Sequence, residues 1–480
     1  SMDRWMTLRG IGCCLICMVL FFQTPAGYSQ DDRIIPDDKL IIEDILISGN
    51  NVTKERIILR ELVFNIGDTI AKIKLLPAFQ RSRENLLNIS LFNFVRFDAT
   101  HIPGNRIKVL IQVTERWYIW PVPMLEYAER NFSSFIQQRE WDKINYGMWL
   151  KWNNFRGRRE LLAGKIRLGY VQEYALSYLI PNLGKKQQHG FSFGFNKNQQ
   201  NEIFLNTVNN RPEEFKPEDR PAMVRLNAFA NYTFRRKLYT TQSLRMEYFN
   251  YGISDSVAIL NPNYLGDGRT NLGFFMLSYN FDHDVRDSQI YPLEGFAVRL
   301  RAEKMGLGIL EDFPFNNLRL TGVFLFHQKL AGRLFFSNAT KARYSMEKMM
   351  PYGLGRGLGY NEFLSGYENY VIDGTDYFIT KYNLKFQVVR PTTWTIPFVK
   401  MEQFNKVHYA LYFNIFADAG YVNNIFPDPT NTMVNDWQFS TGIGLDFVTY
   451  YDQVLRIDYA INKYGEHGLF FHIETPFYRW

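Results

Sequence analysis

Beyond its first seventeen residues the chain contains no cysteine: Cys13, Cys14 and Cys17 are the only three. With no thiol further on, the body of the protein has no disulfide, no thiolate metal site and no cysteine nucleophile. Long apolar runs are also missing after residue 29, so transmembrane helices are excluded, and a closed β-barrel is the one way this chain could span a membrane. The seven histidines are scattered, and none forms H-E-x-x-H or another ligand pair on one element. There is no G-x-S-x-G elbow. Gly353, Gly355, Gly357 and Gly359 alternate strictly with no Lys-Ser/Thr behind them, so they form neither a P-loop nor a dinucleotide fingerprint. No catalytic residue, cofactor site or metal site is expected, and the protein is read as a non-enzyme. The formal charge of +7 is spread rather than clustered, which leaves no nucleic-acid patch.

What is abundant is large aromatic rings. Phe and Tyr number 41 and 29, and aromatics reach 16% of 480 residues against 21% charged. A barrel that alternates lipid-facing and lumen-facing residues, with aromatic girdles at both interfaces, has this composition. Alternation with period two recurs from Trp117 onward. Phe191, Phe193 and Phe195 share one face, as do Phe296, Val298 and Leu300, then Phe439, Ile443, Leu445 and Phe447, then Leu455, Ile457, Tyr459 and Ile461. Glycine and charge fill the opposite face, as a solvated lumen requires. Glu202–Arg220, with Pro212 and Pro217, and Asn423–Asp436 read as long outer loops.

The N-terminus reads as a secretory signal. Arg4 and Arg9 precede an apolar core at Ile11–Phe22, and cleavage after Ser29 is expected, which leaves +6 on the mature chain. Residues 30–38 form a polar linker. A small α+β unit follows over 39–116. It opens with strand Leu40–Ile47, whose Ile41, Ile45 and Ile47 are apolar, and the Gly49-Asn50 turn. Thr53 is the expected cap of a helix of about three turns carrying Ile57, Ile58 and Leu62. Pro77 is expected to open a second helix, with Phe79, Leu86 and Ile89 inward. Two strands, Phe94–Ile102 and Arg106–Thr114, complete it.

The order β-α-α-β-β with I-x-I-x-G-N (Ile45, Ile47, Gly49, Asn50) resembles a POTRA domain. Further on, Leu364-Ser365-Gly366-Tyr367-Glu368 resembles the V-R-G-Y/F loop signature of the BamA/TamA superfamily, with Ser365 in the place of the arginine. Asn154-Phe155-Arg156-Gly157, Asp284-x-Arg286-Asp287 with Pro292-x-x-Gly295, and Phe416-Ala417-Asp418-Ala419-Gly420 resemble its turns and its F-x-D-x-G strand. Leu469, Phe471, Ile473 and Phe477, ending at Trp480, have the form of its terminal β-signal.

The resemblance implies a membrane all-β fold, about sixteen transmembrane strands over 117–480 behind one POTRA domain, in the outer membrane of a Gram-negative bacterium. It implies a factor that inserts outer-membrane proteins or translocates proteins, working by β-augmentation and a weak barrel seam. Its partners would be unfolded outer-membrane or secreted clients, membrane lipid, and accessory periplasmic or lipoprotein subunits. A two-partner secretion transporter, or a non-catalytic channel or structural subunit, is the alternative. In the family the signature arginine pairs with the aspartate that Asp418 matches; Arg356, nine residues before Ser365, is expected to substitute for it, with Tyr367 anchoring the loop and Gly420 beside it.

Overall fold

A computed structural model describes residues 39–127, 144–218, 221–309, 316–449 and 453–472. The expected signal peptide and linker, and Ile473, Phe477 and Trp480 of the terminal motif, lie outside the described residues.

The first unit comprises β1 (Lys39–Ser48), α1 (Glu55–Leu59), β2 (Thr69–Ala71), α2 (Lys72–Asn88), β3 (Phe92–Ile102) and β4 (Arg106–Glu115). Its sheet runs β2-β1-β4-β3, one strand more than the sequence suggested, because three residues between the helices pair with the start of β1. Ile107, Val109, Ile111 and Val113 on β4 face a core closed by Ile57, Ile58, Phe79 and Leu86. The apolar residues of β1 do not all share one face. Leu40 and Ile42 are buried while Ile41 is exposed, because the register shifts between Ile42 and Asp44. An extra residue reverses which side chains point inward, so Ile45 and Ile47 still reach the core.

Two helix assignments also change. α1 is only five residues and starts after Lys54 without a side-chain cap. Thr53 instead donates its hydroxyl to Glu115 Oε1 at 2.5 Å, a partner 62 residues away that no local capping rule anticipates. α2 begins at Lys72, so Pro77 lies inside the helix rather than at its first position. Gly49 is held at φ 87, where an added Cβ would stand 2.0 Å from Val113 O; the turn requires glycine.

The remainder is one sixteen-stranded antiparallel barrel sheet. Its first half is β5 (Ile119–Tyr127), β6 (Ile144–Phe155), β7 (Glu160–Gly169), β8 (Val171–Leu183) and β9 (His189–Gln200). A separate hairpin of β10 (Ile203–Val208) and β11 (Arg211–Phe215) follows, then β12 (Met223–Lys237), β13 (Thr240–Ile253) and the short helix α3 (Asp255–Leu260). β14 (Asn271–Asp284), β15 (Gly295–Met305), β16 (Asn317–Ala331) and β17 (Leu334–Ser345) continue the wall. Last come β18 (Asp376–Thr395), α4 (Glu402–Asn405), β19 (Lys406–Asn423), β20 (Gln438–Thr449), β21 (Val454–Asn462) and β22 (His467–His472).

Alternation sorts the faces as the composition suggested. Leu455, Ile457, Tyr459 and Ile461 are exposed outward while Arg456, Asp458 and Ala460 between them are buried. The stretch Glu202–Arg220 is not a plain loop. Its hairpin turns at Asn209 and Asn210, φ 51 and 57, the left-handed pair that a tight two-residue turn needs. Its apolar side packs with Val257, Tyr264 and Met350 into a core over the barrel end remote from the N-terminal unit.

Candidate functional site

The segment 346–375 between β17 and β18 folds down inside the barrel against β18–β21. A single bridge, Leu358 to Ile372, ties its two limbs together. Leu358, Leu364, Tyr367 and Ile372 bury against Ile379, Val422, Met433 and Val434. Leu364 reaches the wall because β19 carries glycine opposite it: a Cβ on Gly420 would stand 2.8 Å from Leu364 Cδ1. Gly366 takes φ +78, and its carbonyl accepts from Asn462 Nδ2 at 3.0 Å. The Tyr367 hydroxyl donates to Phe439 O at 3.1 Å, which ties the loop to β20.

Asp418 receives the loop directly. The Ser365 N–H and hydroxyl donate to its Oδ2 at 3.0 and 2.7 Å. Lys381 Nζ, from β18, lies 3.9 Å from the same oxygen. The expected Arg356–Asp418 pair does not form. The Arg356 guanidinium stacks 4.8 Å over the Tyr360 ring, and its carbonyl accepts from Arg343. The physical reason is that serine brings both a backbone and a side-chain donor to the carboxylate, while Lys381 supplies the charge from the wall itself. Glu368, further along the loop, is half-buried.

A second cluster lies lower on the same wall, at positions that no sequence motif singles out. Arg456 Nε makes ion contacts with Asp446 at 3.0 Å and Asp458 at 3.1 Å, and Arg456 donates to Asn414 Oδ1 at 2.8 Å. Gly444 makes room for this, since a Cβ there would stand 2.1 Å from Asp458 Oδ1. Tyr291, in the turn between β14 and β15, reaches inside the barrel and donates to Asp446 Oδ2 at 2.7 Å. Around it Leu325, Ala339, Tyr412 and Val454 form an apolar collar. His472 comes within 3.9 Å of Asp458. Leu469 and Phe471 of the expected terminal signal point outward and are exposed.

The N-terminal unit sits beneath the turns at the other barrel end. Arg235, at the β12–β13 turn, grips Glu61 through two bonds of 2.6 and 2.7 Å. Arg81 on α2 donates to Val285 O at 3.1 Å, and Asn88 to Asp287 O at 3.2 Å. Asn154 Nδ2 donates to Thr53 Oγ1 at 2.8 Å, and Lys54 N–H to Gly157 O at 2.9 Å. Thus the sequence motifs at 154–157 and 284–295 are the turns that hold this unit. A cavity of about 220 Å³ between Glu61, Asn85, Arg159, Arg235, Asp284 and Arg286 remains in the joint.

At the sheet's ends stand β5 and β22, and no pairing between them is present among the described residues. The arrangement offers polar docking surfaces and strand edges; among the described residues no cluster of His, Cys, Asp and Glu is arranged to hold a metal.

A family model described as "Omp85 superfamily domain" matches residues 154–474. Another, "Surface antigen variable number repeat" (POTRA), matches residues 40–116. No curated protein matches the sequence. Among solved structures, BamA from Haemophilus ducreyi lacking POTRA domains 1-3 is 14% identical; the match covers 90% of this chain and 83% of that one, with a TM-score of 0.50. CdiB from Escherichia coli is 10% identical over 90% of this chain and 75% of its own, with a TM-score of 0.52. At such identities both likenesses concern the fold.

Proposed function

This chain belongs to the Omp85 superfamily, and on that premise we propose that it inserts or assembles β-barrel client proteins in the outer membrane of a Gram-negative bacterium. In this reading residues 1–29 are removed on export, 30–38 link, 39–116 stand in the periplasm as the POTRA domain, and 117–480 span the membrane. Members of the superfamily are non-enzymatic transporters or insertases, and the work here comes from strand pairing. Clients are unfolded outer-membrane proteins; lipid and accessory periplasmic or lipoprotein subunits are the other partners.

The observation that carries the reading is the pair of sheet ends. β5 and β22 stand at the two ends of the sixteen-stranded order, and the strands at the ends of a sheet are where an incoming strand can pair. The POTRA sheet has its own long edge in β3, the outermost strand of the order β2-β1-β4-β3. The barrel interior supports lateral insertion over passage through the lumen: a threaded polypeptide would have to displace both the Ser365–Tyr367 loop and the inward turn at Tyr291.

The test is depletion of the protein with quantification of other outer-membrane barrels, paired with folding of a urea-unfolded barrel into liposomes containing the purified chain. Lower barrel levels and faster assisted folding are expected. Unchanged barrels with loss of one secreted protein would instead favour a two-partner secretion transporter, and no effect on either would favour a channel or structural subunit.

A further inference from the structure

At the POTRA end of the barrel, the ladder between β18 and β19 outruns both of its neighbours. β17 pairs with β18 only as far as Leu334 with Phe386. β20 pairs with β19 as far as Thr449 with Tyr409, and there the Thr449 N–H already closes a turn onto Gln453 O at 2.9 Å. β18 and β19 go on pairing to Thr395 with Lys406. Residues 388–408 therefore project past the wall as a two-stranded arm tipped by α4.

The inner face of the arm is occupied. The His408 ring lies 4.5 Å from Phe94 of β3, and Lys406 Nζ stands 5.4 Å over the same Phe94 ring. Phe404 on α4 lies 6.2 Å from Trp117 and from Trp120. The arm thus holds the POTRA sheet and the segment that leads into β5.

The outer face prolongs the lipid-facing row of β19. Ile415 is exposed while Ala410, Tyr412 and Phe416 are buried. Both register shifts put their extra residue in β18, so β19 alternates without a break and carries Tyr409 and Val407 outward. Tyr409 stacks 6.5 Å from Phe447, itself exposed on the outer wall. Trp394 stands opposite Val407, shares its face and is 57% exposed. Phe398 and Met401, at the tip, are 82% and 46% exposed.

The height of this row fits a bilayer. At the far end Tyr421 lies 5.4 Å from Trp437, an aromatic girdle. From Tyr421 to Tyr409, at about 3.4 Å a residue and a tilt of about 40°, β19 descends about 30 Å, the thickness of a hydrocarbon core. Val407 and Trp394 lie about 5 Å further on, at headgroup depth, where tryptophan is enriched. Lys400, exposed at the tip, adds a charge that anionic headgroups attract. We propose that residues 388–408 form a membrane-seated bracket. Its outer face and tip lie among the headgroups of the periplasmic phospholipid leaflet, and its inner face fixes the POTRA unit under the barrel. This rests on the reading that places the POTRA end in the periplasm.

The experiment uses the full chain, with Cys13→Ser, Cys14→Ser and Cys17→Ser, in vesicles of phosphatidylethanolamine and phosphatidylglycerol. A single cysteine carries an environment-sensitive fluorophore. It is introduced by Phe398→Cys or by Lys186→Cys, the latter exposed in the β8–β9 turn at the same barrel end. A nitroxide on the lipid headgroup should quench the label at 398 about threefold more than the label at 186. Trp394→Ser with Phe398→Ser leaves the inner face untouched. In that double variant, paired spin labels on α2 and on the β16–β17 turn should report an undocked POTRA fraction raised about threefold. Equal quenching at the two positions overturns the membrane seat, and unchanged docking in the double variant overturns the bracket. A label at 398 that is shielded in native outer-membrane fragments but not in vesicles would assign this face to a protein, which also overturns the proposal. None of these readouts needs a client, so failed barrel assembly would sink the assembly reading and leave this inference standing. A POTRA unit labelled from outside intact cells would overturn the placement and this inference with it.

Discussion

Removing Arg235 should loosen the POTRA unit from the barrel more than removing both members of its ion pair. Glu61 is 1% exposed and takes two bonds from Arg235, at 2.6 and 2.7 Å. Among the described residues the other cation in contact with it, Arg159, is 3.7 Å away. Arg235→Ala therefore strands a buried carboxylate, a loss of about 3–5 kcal/mol. Glu61→Ala does less, because Arg235 keeps two bonds to Leu238 O at 3.1 and 2.7 Å. The double variant removes both charges and should lie nearer wild type than Arg235→Ala. Paired spin labels on α2 and on the β16–β17 turn would read the docked fraction in liposomes. Burial raises the Glu61 carboxyl, but the Arg235 bonds and neighbouring charges outweigh this and hold it below its usual value. The pair's contribution is thus present above the free carboxyl value of about 4.3 and lost as pH falls through the depressed docked value. Equal undocking in Arg235→Ala and the double variant would refute the buried-charge argument.

The lumen loop gives a graded pair: Ser365→Ala loses one bond to Asp418, about 1 kcal/mol, whereas Asp418→Ala removes the acceptor of both Ser365 donors and should cost about 2–3 kcal/mol. Protease sensitivity of 346–375 should rank them in that order. On the outer face, Phe471→Arg places a charge in lipid at roughly 2–4 kcal/mol and should block assembly, while His472→Ala, on the inner face, should fold with a normal heat-modifiable mobility. Tyr291→Phe removes the bond to Asp446 but keeps the apolar collar, so the barrel should lose only about 1–2 kcal/mol of thermal resistance, and a larger loss would show that the hydroxyl holds more than one contact.

The fold was legible because lipid enforces it. A strand with lipid on one side must be apolar at every second position, so Leu455, Ile457, Tyr459 and Ile461 declare themselves without reference to any partner. The loop motif was legible for a similar reason: Gly366 and Gly420 are needed locally, one for its φ and one to admit Leu364. Features that depend on distant residues were not. Thr53 has every local qualification for a helix cap, yet Glu115 takes its hydroxyl. Ile41 fits an inward pattern until a bulge displaces it. Arg356 was the nearest cation along the chain, while Lys381, one strand away in space, stands beside Asp418.

The polar interior follows from the same asymmetry. Asp446, Arg456 and Asp458 read in sequence as ordinary lumen polarity, but each is buried, and a buried charge persists only where partners meet it. Those partners come from far away: Tyr291 lies 155 residues from Asp446. The turn that delivers Tyr291 is the one α2 holds from below, through Arg81 and Asn88. The contacts are therefore continuous, from the POTRA helix through the turn to Asp446 and Arg456, and on to Asp458 and His472 on the closing strands. The Arg456 cluster is thus satisfied from within its own part of the wall, because its described members lie on β19, β20, β21, β22 or the inward turn, and none of them on β5.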